Sequence, residues 1–364
     1  MDKFENTKQP ELENNPSSDF HQQFLSKIWT DLGWNRSHSN SDSDSSSNRK
    51  TPEPADSTQI ELGPVPPERD PNRPPDQPPI PPFSAPSDSP SEQVAPPESK
   101  TGGKIIELRK LTNSSAEHNT PDAEVRLPAN FDPTKPIHLV IYNHGWGSNV
   151  QSAFEDNNLD QQMANAPDNT VLIVPEWQRK AGANSGDQGN FQNDNLFRKM
   201  VEEIFTKVPE LKGKTWDNVD SLGIFAHSAG YGPAETELNK NGLADKVTNI
   251  TLLDALYDNF GFDDWIKQNA RDLNAGTKQF YNFFYDTSKY SNQLVDRVKK
   301  IVQPSTLYED YKNGNNVLDA NTLAQHGVVF KYSSAVIPGQ GPHWSIPHLY
   351  VAPVETAEKQ MQKQ

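Results

Sequence analysis

Five short segments of the chain carry residues whose types and spacing could do covalent chemistry. The run Ser221-Leu222-Gly223-Ile224-Phe225 leads directly into Ala226-His227-Ser228-Ala229-Gly230-Tyr231-Gly232, and a helical stretch follows. A serine on a sharp strand-to-helix turn is thrust away from the backbone, and the small residues two before and two after it, Ala226 and Gly230, permit so tight a turn. Such a hydroxyl becomes a nucleophile when a neighbouring base takes its proton, and the helix N-terminus beside it favours negative charge. A second segment, Asn143-His144-Gly145-Trp146-Gly147-Ser148-Asn149, ends the run Leu139-Val140-Ile141-Tyr142. Its glycines let backbone N–H groups come close to a substrate oxygen.

Two aspartates close apolar runs. Asp254 sits in Leu252-Leu253-Asp254-Ala255-Leu256-Tyr257, where an unpaired carboxylate would be expensive. Asp286 follows Phe283-Phe284-Tyr285 but opens the polar run Thr287-Ser288-Lys289, where water can satisfy it. The fifth segment is Pro338-Gly339-Gln340-Gly341-Pro342-His343-Trp344, a glycine- and proline-rich stretch that reads as a loop with His343 on it. His348 lies five residues on, and His326 begins the last expected strand.

These residues need a frame, and the sequence from Lys104 onward supplies one. Strands are expected at Lys104–Arg109, Ala123–Leu127, Ile137–Tyr142, Thr170–Val174, Ser221–Phe225, Thr248–Leu253, Lys278–Tyr285 and Gly327–Ser333. Helical stretches separate the later ones: Asn195–Phe205, Ala229–Asn239, Phe262–Arg271 and Ser291–Val302. The first two strands have no helix between them and suggest an antiparallel edge. The fold class is therefore α/β, a mostly parallel eight-stranded sheet with helices on both faces. Chemistry in such sheets collects at the carboxyl ends of the strands.

With the elbow Ala226-His227-Ser228-Ala229-Gly230 and the loop His144-Gly145-Trp146-Gly147, the chain resembles the α/β-hydrolase superfamily, in particular its esterase and lipase branches. It departs from the usual G-x-S-x-G by having Ala226 first. The resemblance implies Ser228 as nucleophile, with oxyanion-hole N–H groups from Trp146 and Ala229. His144 would brace the loop. It also implies the chain order nucleophile, acid, histidine, which makes His343 the base and His348 the alternative. Superfamily habit favours Asp286 as the acid; the apolar setting favours Asp254, which we prefer. The activity implied is a serine hydrolase cleaving a carboxylic ester or related acyl compound, with a small-molecule acyl substrate and no cofactor or metal. Peptidases and acyltransferases share the triad. The contrasting class is a non-catalytic scaffold of the same fold that acts by partner binding.

Composition bounds the rest. The chain has 364 residues, 33% of them hydrophobic, a net charge of −15 and no cysteine. An acidic chain without clustered Lys and Arg is a poor partner for nucleic acid, and zero cysteine excludes disulfides and thiol catalysis. The N-terminus lacks an apolar signal-peptide core, and no run is apolar enough for a transmembrane segment, so the expectation is a soluble chain, cytoplasmic by default. More than half of the 31 prolines, and most serine runs, precede residue 104. Residues 1–103 are expected to form a disordered Pro/Ser-rich tail, and 104–364 the hydrolase-like domain. Within the tail, Phe20, Phe24, Leu25, Ile28, Trp29 and Leu32 fall at helical spacing after Asp19. That helix would either dock on the domain or present itself to a protein partner.

Overall fold

A computed structural model describes residues 99–114, 120–145, 148–177, 189–257 and 261–363. The expected tail up to residue 98, its amphipathic helix, Trp146 and Gly147 lie outside them. Nine strands form one sheet: β1 (Lys104–Leu108), β2 (Ala123–Leu127), β3 (Ile137–Asn143), β4 (Thr170–Pro175), β5 (Val219–His227), β6 (Val247–Leu253), β7 (Gln279–Phe284), β8 (Leu307–Asp310) and β9 (Val328–Tyr332). Their order is β1-β2-β4-β3-β5-β6-β7-β9-β8. The β1/β2 and β2/β4 pairs are antiparallel and every other pair is parallel. This is the α/β architecture expected, a mostly parallel sheet with an antiparallel edge.

The expectation of eight strands is corrected to nine. Strand β8, Leu307-Tyr308-Glu309-Asp310, has no apolar run because it is an edge strand paired on one side only, and all four of its residues are half-buried. Charged residues on an exposed edge also discourage pairing with another chain. The central strands look different. Every residue of β3, β4 and β7 is buried, and because successive side chains point to opposite faces, both faces must be covered.

One cover is the final helix, Pro342–Met361. Its Ile346, Tyr350, Val351, Val354 and Ala357 join Val140, Tyr142, Phe225, Leu253, Tyr281 and Phe283 of the sheet in one core. Phe283 and Tyr350 stack with ring centroids 3.8 Å apart. This helix also corrects the reading of His343 as a loop residue: it starts at Pro342, so His343 lies in its first turn. Proline fits that first position because its N–H would be unsatisfied there anyway. Upstream of β1, Ser99 and Thr101 already bond Asp160, which also takes Arg126 Nε at 2.6 Å.

The register aligns the strand ends that matter. Asn143 pairs with Ala226, His227 with Leu253, and Leu253 with Phe283. The segments that follow β3, β5, β6 and β7 therefore all leave the sheet at one edge. Among the described residues, no helix is long and apolar enough to cross a membrane.

Candidate active site

Strand β5 runs to His227, and Ser228 then adopts φ +52°, in the left-handed region that costs a residue with a Cβ. A single turn, Ser228–Gly230, hands the chain to the helix Tyr231–Asn239. Two glycines make this packing feasible. A Cβ on Gly230 would overlap the carbonyl group of Asn143, and one on Gly145 would sit 2.9 Å from the Ser228 Cβ. The loop after β3 is thus pressed directly against the serine turn.

Asp254 also adopts a positive φ, +50°, and is completely buried. Five donors surround its carboxylate. Oδ1 accepts from the Tyr285 and Thr287 backbone N–H groups and the Thr287 hydroxyl, at 2.9, 3.1 and 2.9 Å. Oδ2 accepts from the Asp286 N–H at 3.1 Å and lies 2.8 Å from His343 Nδ1. Burial alone would raise this carboxyl. The hydrogen bond and charge of His343, with the backbone donors, win and hold it at about 2. Burial likewise opposes charge on His343, yet its pairing with Asp254, helped by the charge of Asp286, raises it above an ordinary imidazole.

The structure brings Asp254 and His343 together and gives Asp286 a different part. Asp286 lends its backbone N–H to Asp254 and its charge to the field at His343. His348 lines the cleft with its Nε2 3.4 Å from Gln340 Nε2, while the Asp254 bonds go elsewhere. His326 precedes β9, at the opposite edge of the sheet. Asp254, Asp286 and His343 could all reach one ion. With five hydrogen bonds already on its two oxygens, however, Asp254 has little left for a metal.

His343 is tied to the serine turn through the residue before the serine. His227 Nε2 lies 3.2 Å from the His343 carbonyl oxygen, and the two rings are 4.8 Å apart. Burial, with repulsion from His343, lowers His227 to about 3, so it stays neutral and serves as a donor. Trp344 packs edge-on against both rings with half its surface exposed.

The loop after β3 is braced from below. The fully buried Glu176 accepts from Val150 N at 3.0 Å and Thr120 Oγ1 at 2.8 Å, and lies 3.6 Å from His144 Nε2. Beside it, Asn143 donates to Glu237 at 2.9 Å; burial raises that carboxyl to about 8 despite the bond. Of the two expected oxyanion donors, Trp146 lies outside the described residues. Ala229 sits in the first turn after the serine, where the first N–H bonded within the turn is that of Tyr231. The Ala229 N–H therefore has no acceptor in the turn itself.

Tyr257 was missed in the sequence. Its phenol is near enough to Ser228 for the two side chains to interact, and burial with the charge of Asp254 raises it well above its ordinary value. The available signal was its place three residues after Asp254, in a segment bound to leave the active edge of the sheet. A cleft of about 500 Å³ opens beside the turn, lined by His144, Gly145, Ser152, Asn157, His227 and Trp344 among others.

No family model and no curated protein sequence matches the chain. Among solved structures it is similar to a feruloyl esterase module from Clostridium thermocellum, at 17% identity and a TM-score of 0.45, over 73% of this chain and 94% of that one. It is also similar to an S-formylglutathione hydrolase from Agrobacterium tumefaciens, at 11% identity and 0.40, over 69% and 93%. A fluorophosphonate-binding serine hydrolase from Staphylococcus aureus aligns at 12% and 0.39, over 70% and 97%. Likeness at this level carries no argument about activity, so the reading below rests on the side chains.

Proposed function

We propose that the chain is a serine hydrolase that cleaves a carboxylic ester through an acyl-enzyme on Ser228. The observation that carries this reading is the Asp254–His343 pair: a five-donor carboxylate 2.8 Å from Nδ1 of an imidazole whose own carbonyl is bonded by the residue before Ser228. A carboxylate on Nδ1 fixes the tautomer that leaves Nε2 free to accept a proton.

In the first half-reaction the Ser228 hydroxyl attacks the acyl carbonyl as His343 Nε2 takes its proton. The resulting imidazolium is stabilised by Asp254, which remains ionised. The oxyanion is met by the Ala229 N–H, with Trp146 as the second donor, and the neighbouring helix N-terminus favours the same charge. His343 then protonates the departing alkoxide, and the alcohol leaves. Water enters, gives its proton to His343 and releases the acid, restoring the serine.

The cleft between the β3 loop and the final helix takes the substrate. Its wall includes Ser148, Ser152, Asn157 and Gln340 beside Trp344, which suits a substrate with polar groups as well as one flat apolar face. A series of activated esters of increasing acyl length tests the reading. Hydrolysis by the purified chain, abolished in Ser228→Ala, is expected. Turnover in that variant within tenfold of wild type would overturn it.

A further inference from the structure

A second cluster of titratable side chains lies away from the candidate active site, under the far end of the final helix. His138 is the second residue of β3, near the amino end of the sheet, and Glu355 and Glu358 stand three apart on one face of the helix. His138 and Glu358 are about 4% exposed and Glu355 is fully buried. The imidazole Nε2 is 3.0 Å from Glu358 Oε2 and 3.9 Å from Glu355 Oε2, and one donor atom from each of the three residues falls within 4.8 Å of the others.

The hydrogen bonding is incomplete in a specific way. Among the described residues, neither oxygen of Glu355 accepts a hydrogen bond, nor does Glu358 Oε1, and His138 Nε2 makes no aligned one. The other ring nitrogen, Nδ1, lies 2.7 Å from Ser221 Oγ on β5. Arg126, whose charge reaches Glu355, bonds Asp160 through Nε at 2.6 Å and Thr101 through Nη2 at 2.9 Å, and its buried Nη1 has no hydrogen-bond partner among the described residues. Two carboxylates in a dry space without donors are costly.

We propose that His138, Glu355 and Glu358 form a buried site for a divalent transition-metal ion, zinc being the first choice. A tetrahedral ion with bonds of ~2.0 Å holds its ligand atoms ~3.3 Å apart, and the two measured separations bracket that spacing. The donor set of one imidazole and two carboxylates suits zinc, and the two negative charges match its own. A hydrogen-bonded outer nitrogen is what a metal-bound histidine usually has, and Ser221 supplies it. The ion would staple the helix that carries His343 in its first turn to the sheet beneath it. Its part is structural, and the proposed ester chemistry needs no metal.

The test uses the full chain, first stripped with a chelator and dialysed. Zinc added to it is expected to bind at one ion per chain and to raise Tm by about 4 °C or more at ~100 times Kd. Cobalt(II) is expected to give visible absorption that the stripped chain lacks. The isosteric pair Glu355→Gln/Glu358→Gln should lose the zinc-dependent shift. His343→Ala should keep it. Binding below ~0.1 ion per chain, with no shift of Tm in wild type, would overturn the proposal and leave a proton shared by the carboxylates as their neutraliser. Loss of binding in His343→Ala with retention in the Gln pair would overturn it too, by moving the ion to Asp254 and Asp286.

Discussion

The helix Pro342–Met361 joins two histidine–carboxylate clusters that use the same residue types and differ in everything else. At its start, one carboxylate meets five donors and holds one imidazole by Nδ1. Near its end, two carboxylates face one imidazole, and three of their four oxygens accept no hydrogen bond from a described residue. Burial raises a carboxyl in both places. At Asp254 the donors outweigh it and hold the group at about 2, while Glu355, with no hydrogen bond from a described residue and with Glu358 beside it, is pushed well up. Composition alone does not separate an imidazole poised for proton transfer from one poised to bind a cation; the count of donors on its carboxylate does.

The hardest way to break this comparison is to keep the shape of Asp254 and remove its charge. Asp254→Asn should cut kcat by about 10⁴ through loss of the productive tautomer, measured on an activated ester with the fold checked by circular dichroism. A loss under tenfold would mean that the five-donor carboxylate is a sheet-edge brace.

The pH profile sharpens the same point with opposite signs for activity and stability. Because His343 is raised and must be neutral to act as base, kcat/KM should fall on the acid side with a midpoint above the ordinary imidazole value of ~6.5. Its contribution to stability runs the other way: complete below ~6.5, and lost as pH rises through the raised value. Asp254, depressed to about 2, contributes fully above its unfolded value of ~3.9 and loses that contribution as pH falls toward 2. A profile of activity and of Tm from pH 2 to 9 checks both.

Tyr257→Phe removes a hydroxyl beside the proposed nucleophile and should lower kcat by roughly tenfold at most, with little change in KM. Asp286→Asn should have the smallest effect, a few-fold at most. The backbone N–H it gives Asp254 survives the substitution, and only its charge at His343 is lost. If Asp286→Asn proved worse than Asp254→Asn, the roles of the two aspartates would be exchanged.

Much of this frame was legible in the sequence for a physical reason. The central strands, buried on both faces, read as near-continuous apolar runs, and the short β1 and β2 carry enough apolar residues to join them, so eight of the nine strands and the strand-to-helix turn at Ser228 stand out. An acid amid Leu252, Leu253, Ala255 and Leu256 must be buried, and a buried carboxylate must have partners. The rest depends on contacts that no local pattern encodes. Strand β8 is half-exposed and carries no apolar signature. Pro342 reads as a loop residue, although it fits a helix start. The approach of Tyr257 to Ser228 and the meeting of His138 with Glu355 and Glu358 join residues from different strands, connections and helices, and only the packed sheet brings them together.

Mapping the adduct of a fluorophosphonate probe tests whether Ser228 is the nucleophile. The purified chain should take up one probe molecule, and peptide mass spectrometry should place it on Ser228. Uptake should vanish in Ser228→Ala and slow sharply in His343→Ala. An adduct on another residue, or no adduct on a folded chain, would contradict the account.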